Sequence, residues 1–248
     1  GECMVELSLQ PDGLYKMGYG GDTLNTAVYL SRNGGECEYI TAIGDDAYSL
    51  KMKGAWVNEG VGVTHVQTCA GETSGLYIIE NDETGERFFS YWRKNAPVRQ
   101  LLSLFPDLLE KTKSYPYFYL TGITLSLFDE ESLNSLFAFL KTYRQQGGKV
   151  VFDNNYRPKN WDNNDVAVKV FKTMMSLTDV ALLSFEDEVE MYGEHSTDDC
   201  LQRWKQAGVN ELVIKNGAAG CLLFDAENSE NPISSVPLTQ VVKPVDTT

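Results

Sequence analysis

Apolar positions along the chain switch between a period of two and a period near 3.6, and the switching predicts the class of fold. Val5, Leu7 and Leu9 alternate with Glu6 and Ser8, which is a strand, and Pro11-Asp12-Gly13 turns the chain. Leu24, Ala27, Val28 and Ser31 share one face of a helix, with Asp22 as its expected N-cap and Asn33-Gly34-Gly35 as its stop. Tyr39 to Ile43 reads as a short strand, and Gly44-Asp45-Asp46 leads into a helix through Leu50 and Val57. Gly75 to Glu80 and Arg87 to Trp92 read as strands of a hairpin joined by Asn81-Asp82-Glu83-Thr84-Gly85.

From Tyr115 the pattern becomes strand–helix alternation. Strands are expected at Tyr115 to Leu120, Lys149 to Asp153, Val180 to Leu183 and Glu211 to Lys215. Between them lie a helix opened by Asp129 with Leu133, Leu136, Phe137 and Leu140 on one face, a helix over about residues 166–177, one from Phe185 and one from Asp198 to Ala207. Val150-Val151-Phe152 is an unbroken apolar run, as in a strand covered on both sides. The alternation marks an α/β fold with a mainly parallel sheet and helices on both faces. The hairpins near the front, over about residues 5–19 and 73–94, do not fit that pattern and predict a small sheet standing apart as a lid. Residues 227–232 form a polar loop between late strands.

Composition narrows the function. Among 248 residues, 21 are basic and 35 acidic, so the net charge is −14, and 42% are hydrophobic. That excludes a disordered chain, and it argues against a general binder of nucleic acid or anionic membranes, which needs surplus Lys and Arg. Cys3, Cys37, Cys69, Cys200 and Cys221 are odd in number and scattered, with no C-x-x-C pair. A disulfide framework or structural zinc site is not expected, and reduced thiols point to the cytoplasm. No apolar run reaches the length of a membrane span. His65 and His195 are the only histidines and are expected in surface or loop positions.

Four segments carry candidate chemistry. Gly18-Tyr19-Gly20-Gly21-Asp22-Thr23-Leu24-Asn25 brings glycines up to a helix start, where Asp22 and Asn25 lie one turn apart. A carboxylate and an amide so placed suit sugar hydroxyls; an ordinary strand–turn–helix with Asp22 capping fits as well. It is not a dinucleotide fingerprint, because Thr23 stands where the third glycine is needed. Tyr91 and Arg93 share a strand face, with Tyr77 on the partner strand. They suit a polyol and a carboxylate, or a solvated cation–aromatic pair. Asp153-Asn154-Asn155-Tyr156-Arg157-Pro158 follows a buried strand, where open α/β sheets bind ligands, and the functional reading is favoured over an Asx-turn with a surface Arg. Lys215-Asn216-Gly217-Ala218-Ala219-Gly220 either admits a nucleotide or is a plain hairpin turn. No P-loop is present.

In this order the segments resemble the PfkB (ribokinase-like) carbohydrate kinases. Carrying the likeness are Gly1-Glu2-Cys3-Met4-Val5-Glu6-Leu7-Ser8, Gly20-Gly21-Asp22-Thr23-Leu24-Asn25-Thr26, Gly75-Leu76-Tyr77, Thr84-Gly85-Glu86-Arg87, Tyr91-Trp92-Arg93, Leu120-Thr121-Gly122-Ile123, Gly147 through Pro158, and Val245-Asp246-Thr247-Thr248. The resemblance implies a ribokinase-like α/β/α sandwich with a small β-lid. It implies ATP- and Mg²⁺-dependent phosphorylation of the 6-hydroxyl of 2-dehydro-3-deoxy-D-gluconate, giving the 6-phosphate. By position, Gly20, Gly21, Asp22 and Asn25 would hold sugar hydroxyls. Tyr77, Tyr91, Arg93, Asn155 and Arg157 would contact the substrate. Ser184, Lys215, Gly217 and Gly220 would lie near ATP. The family's N-x-x-E motif falls on Ser184 and Asp187, a departure at both positions, so Asp187 would meet the metal only indirectly.

The resemblance also implies a catalytic Asp in a Gly-Ala-Gly-Asp segment after Thr248. The two ends read as cut, so the chain is expected to be a single incomplete kinase domain over residues 1–248, nearly inactive as written. Exposed lid edges would suit a homo-oligomer. Competing readings are another kinase of the family, acting on fructose or 5-dehydro-2-deoxygluconate, and a non-catalytic sugar-acid-binding module; a dehydrogenase is weakened by the missing fingerprint. The central expectation is that Arg93 and Arg157 serve one acidic sugar.

Overall fold

The structure, a computed structural model, describes residues 1–81, 87–193 and 195–238. The hairpin tip expected at residues 82–85, Glu86 and the closing Val245-Asp246-Thr247-Thr248 lie outside the described residues. The chain divides into two compact units, a first over Gly1–Leu108 and a second beginning at Leu109.

In the first unit, β1 (Met4–Leu9) turns back through β2 (Tyr15–Gly20), pairing Met4 with Gly20 and Leu9 with Tyr15. Helix α1 (Asp22–Arg32), strand β3 (Thr41–Gly44), helix α2 (Ala47–Asn58) and strand β4 (Val66–Cys69) follow. Then come β5 (Leu76–Asn81), β6 (Arg87–Trp92) and a short α3 (Leu101–Leu104). Four strands form one sheet in the order β2-β1-β5-β6, with β1 and β5 parallel and the outer pairs antiparallel. Strands β3 and β4 make a separate parallel pair. Leu24 and Val28 of α1 pack on Tyr39, Ile43, Met52, Trp56, Val61 and Val66. Full burial of each such side chain is worth about 1.5–3 kcal/mol. Tyr39 meets Trp56 edge-on at 5.3 Å, and so serves the core from just outside β3 rather than within a strand. Asp46 caps α2 by accepting from the Tyr48 and Ser49 amides. His65, expected in a surface or loop position, lies buried in a turn, and His195 is exposed in a loop.

In the second unit, β7 (Tyr117–Thr121) leads through the single turn α4 (Gly122–Leu125) to α5 (Glu130–Gln145). The elements β8 (Lys149–Asp153), α6 (Asn164–Met175), β9 (Val180–Ser184), α7 (Phe185–Tyr192), α8 (Thr197–Gln206), β10 (Glu211–Lys215), β11 (Cys221–Asp225) and β12 (Ile233–Val236) follow. The sheet order is β12-β11-β10-β9-β8-β7; β7 through β10 are parallel, and β11 and β12 run antiparallel. Asp129 caps α5, its carboxylate accepting from the Ser132 amide at 2.8 Å. On α5 the buried face carries Leu133, Leu136, Phe139, Leu140 and Tyr143, while Phe137 is only partly buried. Phe152 of β8 meets Phe171 of α6 edge-on at 5.5 Å and stacks on Trp204 of α8 at 6.1 Å. With apolar residues filling the strand interiors, the polar residues at the strand ends are left for the site. Among the described residues no helix is long and apolar enough to cross a membrane.

Candidate active site

The carboxyl ends of β8, β9 and β10 carry Asp153, Ser184 and Lys215, and parallel pairing brings all three to one edge of the sheet. Around them opens a cavity of about 590 Å³ lined by Asp153, Asn155, Arg157, Ser184, Glu186, Asp187, Lys215 and Gly217. Three segments singled out from sequence therefore meet in one place: Asn155 and Arg157, Ser184 and Asp187, and Lys215 and Gly217. Gly220 is not on this wall. It closes the β10–β11 turn at φ 88°, where a Cβ would strike the Val236 carbonyl.

Two ion pairs line this cavity. Lys215 Nζ lies 3.2 Å from Asp153 Oδ2. Arg157 Nη1 donates to the Tyr156 carbonyl at 2.5 Å and to Asp187 Oδ1 at 3.2 Å, while about half the Arg157 side chain stays exposed. Asp187 also accepts from the Tyr156 amide at 3.1 Å. Burial pushes the Asp187 carboxyl up, against the opposing pull of Arg157 and Lys215. Asn155 is the one non-glycine among the described residues with positive φ, at 25°. Beneath it Asn154, 1% exposed, ties the ends of β8 and β9 together, and buried Glu188 supports Asn154. Asn154 lies in a segment singled out from the sequence but was given no role of its own, and Glu188 did not stand out.

The other candidates lie in the first unit. Gly21, not Asp22, is the N-cap of α1, and no side chain caps that end. The reason is packing: a Cβ at Gly21 would collide with the Glu2 carbonyl, so glycine lets α1 start against β1, and Asp22 becomes the first helical residue. The carboxylate of Asp22 is still favourable at a helix N-terminus. Asn25 follows on the same helix, its amide bonded to the Gly21 carbonyl at 2.8 Å. Gly20 ends β2 where a Cβ would strike Tyr77 Oη. The Tyr77 hydroxyl donates to Glu6, which also accepts from Ser8 at 2.6 Å. Burial, then that bond, pushes the Tyr77 phenol up. Tyr77, Tyr91 and Phe89 form an aromatic face with centroids 6.0 to 6.3 Å apart. Arg93 lies 6.0 Å from the Tyr91 ring and is ion-paired with Glu2, whose side chain is 3% exposed. Sequence reasoning missed Glu2, Glu6 and Phe89.

Among the described residues no group of three or more His, Cys, Asp or Glu is spaced to hold a metal ion. The cavity does carry Asp187 and Glu186 on one wall. That donor set suits Mg²⁺ borne on phosphate oxygens and met through water, since Mg²⁺ keeps waters and takes only one or two carboxylates.

Comparison with known proteins places this geometry. A 2-dehydro-3-deoxygluconokinase of Dickeya dadantii is 40% identical over the whole of this chain and 81% of its own length. One of Haemophilus influenzae is 32% identical over 98% of this chain and 79% of its own. Among solved structures, a PfkB protein from Polaromonas sp. JS666 superposes with a TM-score of 0.88 at 21% identity, covering 97% of this chain and 81% of that one. Aminoimidazole riboside kinase from Salmonella enterica, complexed with aminoimidazole riboside and an ATP analog, gives 0.81 at 25% identity over 99% and 77%. The profile of the pfkB family carbohydrate kinases matches residues 1–248. The chain belongs to that family and is an ATP-dependent carbohydrate kinase with a ribokinase-like α/β fold.

Proposed function

We propose that this kinase transfers the γ-phosphoryl group of ATP to the 6-hydroxyl of 2-dehydro-3-deoxy-D-gluconate. The observation that carries the acidic substrate is Arg157: a guanidinium half exposed at a cavity wall, its Nη1 held by Tyr156 and Asp187 so that the fork is oriented. The names of the relatives at 32–40% identity support the same sugar acid.

Phosphoryl transfer rests on positioning and on stabilising charge around the moving group. In this reading Gly20, Gly21, Asp22 and Asn25 bind sugar hydroxyls, and Tyr77 and Tyr91 pack on the carbon chain. Arg93 and Arg157, with Asn155, orient the acid. Lys215, Gly217 and Ser184 face the nucleotide phosphates, with Gly220 shaping the turn behind them. Mg²⁺, when bound, neutralises phosphate charge, and Asp187 meets it through water. The exposed rings of Phe88 and Trp92 on edge strand β6 support pairing of two copies through that sheet, which light scattering on the protein tests.

Steady-state kinetics of the complete gene product on this sugar acid and on fructose test the substrate assignment. The sugar acid is expected to have the higher kcat/KM, and Arg157→Ala to raise its KM while leaving that for fructose nearly unchanged. A parent enzyme that prefers fructose would overturn the assignment, as would an Arg157→Ala variant that treats both sugars alike.

A further inference from the structure

Below the cavity of the second unit lies a polar cluster that no step above uses. Asn154 spends its whole side chain there. Its Oδ1 accepts from the Asn155 amide and from the Ser184 amide, both at 2.9 Å. Its Nδ2 donates to the Ser184 carbonyl and to Glu188 Oε1, both at 3.0 Å. One amide thus clamps Ser184 by both of its backbone groups and fixes the neighbouring Asn155. Glu188 is as deeply buried as Asn154, at 1% exposure, and its Oε2 accepts from Arg203 Nη1 and Trp204 Nε1, each at 3.0 Å. A buried carboxylate is retained only when its oxygens are satisfied, and here α8 supplies two donors and β8's end the third. Direction is forced from the backbone: the Asn155 and Ser184 amides can only donate, so Asn154 presents Oδ1 to them and turns Nδ2 to Glu188 Oε1, which accepts.

We infer that Asn154 and Glu188 are positioning residues that set the end of β8 and the end of β9 as one piece, so that the sugar-side residue Asn155 and the nucleotide-side residue Ser184 are placed together. The inference rests on the roles proposed above for those two residues. Its consequence is specific: disturbing the clamp weakens both substrates at once, whereas removing Arg157 weakens the sugar acid alone. A merely structural role would lower the amount of folded enzyme, and with it the apparent kcat, and leave both KM values alone.

The test is steady-state kinetics on the complete gene product with Asn154→Asp, Glu188→Gln and the double variant, with folding of each checked by circular dichroism. Asn154→Asp keeps the shape and the acceptors but removes both N–H donors and sets a second carboxylate against Glu188. It is expected to raise KM for the sugar acid and for ATP together, by about tenfold or more, the scale of hydrogen bonds to a buried charge. Glu188→Gln alone sets a donor against a donor on one side or the other, and is expected to move both KM values the same way by less. In the double variant the glutamine amide can donate toward position 154 while its oxygen faces Arg203 and Trp204, so both KM values should fall back toward the parent. The inference is overturned if folded Asn154→Asp, or Glu188→Gln where Asn154→Asp does not fold, leaves both KM values unchanged, or if the double variant is additive. Arg157→Ala, run alongside, separates the two levels: its failure to raise the sugar-acid KM overturns the substrate reading, while the ATP arm still tests the clamp.

Discussion

Arg93 and Arg157 were singled out from sequence for the same task, yet their surroundings differ in kind. Arg93 is 13% exposed and paired with a carboxylate, Glu2, that is itself 3% exposed. Arg157 is 52% exposed, and its partner Asp187 14%. In the first case a charge pair is sealed beside an aromatic sheet face; in the second a cation is steered but still open to a cavity. The difference teaches that an arginine in a plausible motif can carry a load in the fold as well as a task toward a ligand, and that stability and kinetics should separate the two.

The largest effect is expected for Arg93→Ala. It strands a buried carboxylate, and removing one partner of a buried pair costs about 3–5 kcal/mol. Chemical denaturation should show that loss, and Glu2→Gln combined with Arg93→Met should recover most of it. Arg157→Ala should cost less than about 1 kcal/mol of stability, since its pair is half exposed and screened. Its effect belongs to binding, with KM for the sugar acid rising about 10- to 100-fold, the range for hydrogen bonds to a charged group. If the two arginines exchange these signatures, the distinction drawn from burial is wrong.

Glycines sharpen the same contrast at smaller scale. Gly21 is needed for space, because a Cβ would collide with the Glu2 backbone. Gly217 is needed for conformation, with φ 49° and open space where a Cβ would go. Gly21→Ala is expected to lose about 1–3 kcal/mol through overpacking. Gly217→Ala should lose only about 1–2 kcal/mol, the cost of a left-handed alanine. Thermal melts of the two variants check the order.

The second unit was the more legible in sequence, for a physical reason. Long amphipathic helices and buried strands such as 149–153 write their periods plainly, and a parallel sheet then delivers Asp153, Ser184 and Lys215 to one edge by topology alone. In the first unit, β2 was expected only as the unbounded second arm of a hairpin over about residues 5–19, because Gly18 and Gly20 look like loop residues. At position 20 glycine is required because Tyr77 occupies the space where a Cβ would go, which only the pairing reveals. Asp22 was misassigned as a cap for the same reason, since the contact of Gly21 with Glu2 joins residues far apart in pattern. Glu188 was invisible because it sits in the acidic run Glu186-Asp187-Glu188, where nothing local tells the buried carboxylate from its neighbours. Its donors, Arg203 and Trp204, come from the next helix.

The smallest expected effect concerns Asp187, and it turns on sign. Burial raises its carboxyl above the ordinary value, with Arg157, the Tyr156 amide and Lys215 pulling the other way. A group that holds its proton more tightly when folded favours the folded state below its unfolded pKa, and that favour is lost as pH rises through the folded pKa. Asp187→Asn keeps an oxygen for the Tyr156 amide and removes the titration. The melting temperature of the variant minus that of the parent should therefore climb as pH rises from about 4, the ordinary Asp value, and then level off. A difference that falls with pH over that window would mean the pair with Arg157 outweighs burial. Asp187 would then be a carboxylate held for its charge, and the contrast between the two arginines would narrow to exposure alone.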